Sequence, residues 1–437
     1  MALGQPSMWF AQSAEQRWHR WSVVLEGCSK RDQSTFVVNR RLSSYRLYST
    51  FSNEETCKSS RSTILKQLFH KETKEPDTIY QTLLTSIQIL QDLDAPEPID
   101  SACHLLSHAL KGDFRWEDNG FATLLQMMGH SSQGSSFQYS NPSTGDKVDF
   151  FRKLVPRNEL EDFADMLYRR IKKEPLQYII GQWDFYNCTL KIRSPCLCPR
   201  PETEELVEHV VQDIRQVMAR RRLQTTKSGS SRHNERKIRI LDCGCGTGAI
   251  GISIAKLFPN DVEVVAIDIN PEAVTLSREN AAWVLGEGMV ASLYQAFESS
   301  ASEYTNEEEQ DCNRPKYDFK FDIVVSNPPY IPLADMSTLT DDVIGHEDYN
   351  ALCGGVDGMD VIRDIVARLP EWSKKEDQSN EDNGLPPVCW MEVDTSHPVL
   401  MEEWLRDYVL KCNVKFVEGR KDLSGFDRFV KLEVLPN

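Results

Sequence analysis

The sequence predicts a doubly wound α/β sheet, and three observations carry that prediction. Short apolar runs rich in β-branched residues alternate with helical stretches through the second half of the chain. One run, 238–242, leads directly into Gly244, Gly246 and Gly248 and then an apolar helix. A later run, 321–326, is stopped by Asn327-Pro328-Pro329-Tyr330. In such a sheet ligands bind outside the C-terminal strand ends, so the glycines, Asp268 and Asn327 are expected to meet in one cleft.

Composition bounds the rest. A chain of 437 residues is long enough for two domains with extensions. With 40% hydrophobic residues and a mean hydropathy of −0.46 it reads as soluble, and no apolar run approaches the ~18 residues of a spanning helix. A net charge of −16 opposes non-specific attraction to a phosphate backbone, so direct nucleic-acid binding is not expected. The 12 cysteines include Cys196-x-Cys198 and Cys243-x-Cys245 but no Cys-x-x-Cys pair, which signals neither a zinc ribbon nor a disulfide framework.

Residues 1–53 carry Arg17, Arg20, Lys30, Arg31, Arg40, Arg41 and Arg46 against only Glu15, Glu26 and Asp32. Basic, Ser-rich and poor in acids, this is the composition of a mitochondrial presequence or a disordered tail, and the run 40–49 resembles a matrix-protease site cut after Tyr48. Helical patterns near 78–87, 99–106, 121–128 and 158–172 predict a small helical domain over 75–181, with a Ser-rich flexible insertion at 131–136. His104 and His108 share one helix face, but no carboxylate motif accompanies them and no metal site is predicted. A β-hairpin linker is expected over 182–197, then an α/β domain over 198–437 with insertions near 222–237, 298–317 and 373–387. Pro201, Glu202 and Glu204 suit a helix start, and that helix is expected to end at Arg220-Arg221-Arg222. Arg200 is not explained by the helix start and is assigned to the site as a substrate contact.

The glycine run offers backbone to a ligand at a helix N-terminus, which makes Asp242, Gly244, Cys245, Gly246, Thr247 and Gly248 the candidate cofactor cradle. Asp268, 24 residues beyond Gly244, ends the next strand, where its carboxylate can accept hydrogen bonds from both ribose hydroxyls. Gly-x-Gly-x-Gly differs from the dinucleotide spacing and suits an adenosyl group lacking a pyrophosphate. At Asn327-Pro328 the prolines hold the chain extended and supply no N–H, leaving the Asn327 side-chain oxygen and the Pro328 carbonyl as paired acceptors beside the Tyr330 ring. That arrangement fits a clamp for a planar NH2 group; an ordinary proline-rich turn fits the four residues alone equally well. The turn-dense stretches 345–348 and 351–360 are expected to fold over the site.

In this order, the blocks 174–181 (Glu-Pro-Leu-Gln-Tyr-Ile-Ile-Gly), 199–204 (Pro-Arg-Pro-Glu-Thr-Glu), 242–248, 322–330 and 351–360 resemble the class I S-adenosylmethionine-dependent methyltransferases. More narrowly, they resemble the HemK-like protein-glutamine N5-methyltransferases that modify peptide-chain release factors. The resemblance spans roughly 78 to 434. It implies S-adenosyl-L-methionine as cofactor, and as substrate the glutamine of the Gly-Gly-Gln motif of a class I, mitochondrial release factor, in the matrix. It also implies Asn327, Pro328 and Tyr330 as catalytic residues, with Asn327, Pro328, Pro329, Tyr330 and Arg200 holding the substrate. Asn327 then also borders the cofactor, and Phe297 is assigned to pack on the adenine. Glu347-Asp348 departs from the family's Glu-Pro and Met391-Glu392-Val393-Asp394 from its Leu-Glu-Ile-Gly; the segment 392–398 looks like the mitochondrial, eukaryotic branch. An N6-adenine nucleic-acid methyltransferase poses the same planar NH2 to the same clamp, but needs a flipped base and a basic reading surface. A non-catalytic cofactor-binding adapter and a nicotinamide oxidoreductase are the remaining alternatives.

Overall fold

The computed structural model describes residues 64, 78–111, 151–228, 236–304, 321–373 and 386–435. The segment 1–53, the helix expected at 121–128, the insertion at 131–136 and most of the expected insertions at 298–317 and 373–387 lie outside those residues. The chain divides into two compact units. One includes the described residues up to Gly181 together with Thr340–His346; the other includes Gln182–Leu339 and Glu347–Asn437.

The first unit is helical: α1 (Ile79–Asp92), α2 (Pro98–Ala109), α3 (Arg157–Ile171) and the short α4 (Leu176–Ile180). Helix α1 begins at Thr78, whose hydroxyl accepts from the Gln81 N–H while the Gln81 side chain accepts from the Thr78 N–H. This reciprocal cap satisfies two orphan donors. Ile79, Leu83, Ile87 and Leu90 then form its buried stripe. Arg170 of α3 is only 2% exposed, and its guanidinium donates to Ser101 Oγ at 2.9 Å, Glu174 O at 2.9 Å and Pro96 O at 3.2 Å. A buried guanidinium is tolerable only with its donors met. Asp342, in the returning segment, adds a carboxylate 3.6 Å away.

The second unit opens with an antiparallel hairpin, β1 (Gln182–Phe185) and β2 (Cys188–Lys191). Helix α5 (Pro201–Ser228) runs past the expected stop at Arg222, because Gly229 is the first helix-terminating residue after its start. Then follow β3 (Ile238–Cys243), α6 (Ala249–Leu257), β4 (Val262–Asp268), α7 (Pro271–Leu285), α8 (Glu287–Leu293) and β5 (Tyr294–Glu298). The chain completes the sheet with β6 (Ile323–Ser326), α9 (Asp360–Trp372), β7 (Val388–Glu392), α10 (His397–Cys412), β8 (Val414–Lys421) and β9 (Asp427–Val434). Strand order is β5-β4-β3-β6-β7-β9-β8.

The first five of these strands are parallel, as the alternation of strands and helices predicts. The last two form an antiparallel hairpin beside β7, since five residues between β8 and β9 are too few for a crossover. The chain steps outward from β3 to β5 and then returns to the other side of β3 with β6. The β3/β6 boundary is therefore the topological switch point, where a crevice opens above the strand ends. Strand β3 is buried along its whole length. Helix α9 covers the sheet with Ile362, Ile365, Val366, Leu369 and Trp372, which share one apolar cluster with Val324, Cys389 and Met391. Among the described residues no helix is long and apolar enough to cross a membrane.

Candidate functional site

Register places the candidate residues side by side. Cys243 pairs with Ile267 on one flank and with Ser326 on the other, so Gly244, Asp268 and Asn327 emerge level from three adjacent strands. Two strand spacings separate Asp268 from Asn327, about 10 Å. The glycine loop lies between them.

That loop is held through its own main-chain groups. The N–H groups of Gly244 and Cys245 donate to Ile267 O at 2.8 and 3.0 Å, and the Gly246 N–H donates to Asp268 Oδ2 at 2.8 Å. Gly244 and Gly246 adopt φ of 74° and 53°, and a Cβ on either would meet no atom within 4 Å. Their exposed backbone faces open space, the shape a flat adenosyl group requires. Gly248 serves packing instead: a Cβ there would lie 2.6 Å from Ile252 Cδ1. Asp268 accepts one backbone N–H on each oxygen, from Gly246 and from Asn270 at 2.9 Å, which leaves lone pairs on both for ribose hydroxyls. These residues fit the expected cofactor.

Other members of the predicted cradle lie deeper. Asp242 is fully buried and turned toward α6, where its Oδ2 accepts from the Gly251 N–H at 2.9 Å. Burial pushes its pKa up to about 7, against the pull of that N–H. The Cys245 and Thr247 side chains are also buried, so both face the protein rather than the crevice. Phe297, partly buried at the end of β5 and paired with Ile267, packs against the apolar cluster beneath the sheet's edge. His104, in the helical unit, has its pKa lowered to about 4 by burial. Among the described residues no group of three or more His, Cys, Asp or Glu could hold a metal ion.

The Asn327 side is built from side chains. Asn327 Nδ2 donates to Thr203 Oγ1 at 3.1 Å, and the Thr203 hydroxyl donates to Glu392 Oε2 at 2.7 Å. The Tyr330 hydroxyl donates to the other oxygen of Glu392 at 3.2 Å. Glu392 is 1% exposed, and burial raises its pKa to about 6. Among the described residues no donor reaches Asn327 Oδ1 or the Pro328 carbonyl. Both acceptors of the predicted clamp are thus unspent. Ser326 Oγ, one residue before, donates to Cys243 O at 2.6 Å and ties the clamp's strand to the glycine loop's strand.

The two turn-dense stretches lie against different parts of the site: Asp348 Oδ2 accepts from Asn270 Nδ2 at 2.7 Å beside Asp268, and 351–358 packs on the backbone of the clamp. The Ile331 N–H donates to Leu352 O at 3.0 Å and the Gly354 N–H returns to Ile331 O at 2.9 Å. A Cβ on Gly354 would lie 2.6 Å from Pro329 O, and one on Gly358 would lie 2.3 Å from Tyr330 O. Glycine is required there because two backbones touch. Arg200 donates to both oxygens of Glu347 at 2.8 and 2.7 Å, and the Cys198 N–H approaches Oε1 at 3.4 Å. Glu347 is 6% exposed and Arg200 is its counter-ion; both bonds leave from one terminal nitrogen of a guanidinium whose side chain is 34% exposed.

Three residues to which the sequence assigns no site role belong to the site: Thr203, Glu392 and Asn280. Thr203 was absorbed into a helix start. Glu392 ends an otherwise apolar strand with an acid, the same signal that identified Asp268. Asn280, fully buried on α7, accepts from Lys191 N at 2.8 Å and donates to Lys191 O at 3.0 Å and Thr247 O at 2.9 Å. It latches the hairpin to the glycine loop.

Residues 230–346 match the family described as Methyltransferase small domain. A human protein named MTRF1L release factor glutamine methyltransferase is 32% identical over 306 residues, 70% of this chain and 79% of that protein. The release factor glutamine methyltransferase of Streptococcus pneumoniae is 32% identical over 319 residues, 72% of this chain and 96% of that protein. A solved structure of a release factor-specific protein-(glutamine-N5) methyltransferase from Alicyclobacillus acidocaldarius is 20% identical, covers 56% of this chain and 100% of its own, and has a TM-score of 0.29. With a switch-point crevice that fits an adenosyl group beside an acceptor clamp, and relatives matched over most of their length, this chain belongs to the release factor glutamine methyltransferases.

Proposed function

We infer that this chain transfers a methyl group from S-adenosyl-L-methionine to the side-chain amide nitrogen, N5, of a glutamine in a peptide chain release factor. The observation that carries this reading is the placement of two unspent acceptors, Asn327 Oδ1 and the Pro328 carbonyl, level with the glycine loop and Asp268. The glutamine of the Gly-Gly-Gln motif is the substrate we assign. A carboxamide nitrogen is a poor nucleophile because its lone pair is delocalised into the carbonyl. The cofactor, when bound, supplies a methyl group made electrophilic by a positively charged sulfur.

The chain's own residues meet the amide. Asn327 Oδ1 and the Pro328 carbonyl each accept one hydrogen of the substrate NH2, which fixes its plane and aims the nitrogen. Tyr330 forms a wall beside that plane. Positioning of this kind is worth several kcal/mol of a barrier. Gly244, Gly246 and Asp268 hold the cofactor's adenosine, and Asp242 ties the end of β3 to the following helix α6 through the Gly251 N–H. The amide proton leaves to water.

We assign the substrate to the mitochondrial class I release factors and the chain to the matrix; the basic, acid-poor composition of residues 1–53 supports both assignments. The helical unit supplies the wider grip on the release factor, since one glutamine side chain is too small to give specificity. The test is transfer of a radiolabelled methyl group onto a mitochondrial release factor, onto its Gly-Gly-Gln variant with Gln→Ala, and onto DNA. Label on the first alone is expected. Label on DNA would replace the amide with an adenine amine.

A further inference from the structure

The Asn327 amide has two ends of nearly equal shape, and only one of them serves the clamp. If the NH2 end faced the substrate, donor would meet donor. What decides the orientation lies behind it. The Thr203 hydroxyl carries one hydrogen and sits 2.7 Å from an oxygen of Glu392, and an ionised carboxylate only accepts. Thr203 must therefore donate to Glu392, and toward Asn327 it can only accept. The atom facing Thr203 at 3.1 Å is then necessarily the Asn327 nitrogen, which turns Oδ1 away, toward the crevice.

We propose that Glu392 is a positioning residue for methyl transfer, acting through the Thr203 hydroxyl to fix the outward direction of Asn327 Oδ1 and through the Tyr330 hydroxyl to hold the neighbouring ring. This rests on the reading of Asn327 as the amide clamp given above. Glu392 touches neither substrate nor cofactor. It lies at the end of β7, next to the clamp's own strand β6, with one oxygen committed to each arm. Removing the charge reverses the relay. A protonated Glu392 can donate to Thr203, whose hydroxyl is then free to donate to Asn327 Oδ1, and the amide turns its NH2 outward.

The relay therefore has a pH signature. Burial raises the Glu392 pKa to about 6; Thr203 from α5, Arg428 from β9 and Tyr330 pull it down, and Glu202 from α5 pushes it up. Turnover is expected to fall as pH drops through about 6, because the outward-oxygen state needs the ionised form. The Glu392→Gln enzyme loses that acid limb.

The decisive measurement uses the full chain with a release factor substrate and compares Thr203→Val, Thr203→Ser and Asn327→Ala, with cofactor affinity read separately by calorimetry. Valine keeps the volume of threonine and removes the relay; serine keeps the hydroxyl. Thr203→Val is expected to lower kcat about 10- to 100-fold with KM for release factor and cofactor Kd within threefold, and Thr203→Ser to restore kcat to within about threefold of the native enzyme. Equal losses in the valine and serine variants would mean that the site needs only threonine's packing, and would overturn the relay. Normal turnover in Thr203→Val with an inactive Asn327→Ala would overturn the relay and leave the clamp standing. Normal turnover in Asn327→Ala would remove the clamp itself, and the relay with it.

Discussion

The two halves of the crevice are built differently. On the cofactor side the ligand-facing surface is main chain: Gly244 and Gly246 expose backbone to open space, and a single carboxylate, Asp268, ties the loop to the neighbouring strand through the Gly246 N–H. On the substrate side the surface is a side-chain amide whose direction depends on partners far away in sequence; Thr203 and Glu392 are separated by 189 positions. A main-chain cradle tolerates changes in its side chains but not in its φ angles. An amide clamp tolerates no change in its hydrogen-bond partners.

Variants can break this division or sharpen it. The largest effect is expected for Asn327→Ala, a loss of about 10²- to 10³-fold in kcat, comparable to removing one electrostatic partner of a reacting group, with cofactor Kd little changed. Next is Asp268→Ala, expected to weaken cofactor binding by about 10- to 100-fold, as charge-assisted hydrogen bonds to ribose and the anchor of Gly246 are lost together. Its kcat at saturating cofactor should stay close to native. If titration calorimetry instead found Asn327→Ala weak for cofactor and Asp268→Ala normal, the division would be wrong.

A smaller effect is expected behind the clamp. Gly358→Ala places a Cβ 2.3 Å from Tyr330 O at a residue with φ of 77°, so the clamp's backbone must move. Overpacking and strain together cost about 1–3 kcal/mol. Kinetic assays should show the loss in kcat and spare cofactor affinity. The smallest is Arg200→Ala, which strands the buried Glu347 carboxylate and lowers stability by roughly 1–3 kcal/mol in denaturant melts. If the same variant raised KM for release factor without destabilising the fold, Arg200 would be a substrate contact as the sequence predicts.

The same contrast explains what could be read from the sequence. The glycine loop, Asp268 and the Asn-Pro-Pro-Tyr stop are local: each is a strand followed by residues whose backbone preferences announce a turn, and register alone then aligns them. The parallel sheet was legible for that reason. The Thr203 and Glu392 arms, and the Arg200–Glu347 pair, were not, because each joins residues whose proximity depends on the completed sheet. A helix-start threonine has a sufficient local explanation, and that explanation hid its second role. Arg200 shows the reverse: a charge with no local explanation has a buried partner, Glu347, that only the completed fold brings to it. The glycines of the turn at 351–360 mark close backbone contact with the clamp, which the sequence shows as a turn but not as a contact.

The Asn280 latch has a consequence for the lifetime of the molecule. Its amide uses the oxygen once and the nitrogen twice, between the hairpin and the glycine loop. Deamidation to aspartate would replace that nitrogen with an oxygen facing the carbonyls of Lys191 and Thr247, turning two attractions into two repulsions. Burial within a helix protects the amide chemically, because the following backbone N–H is not free to attack it. A partial unfolding that exposed α7 would remove the protection, and one aged side chain would then prevent the hairpin and the cofactor loop from closing together again.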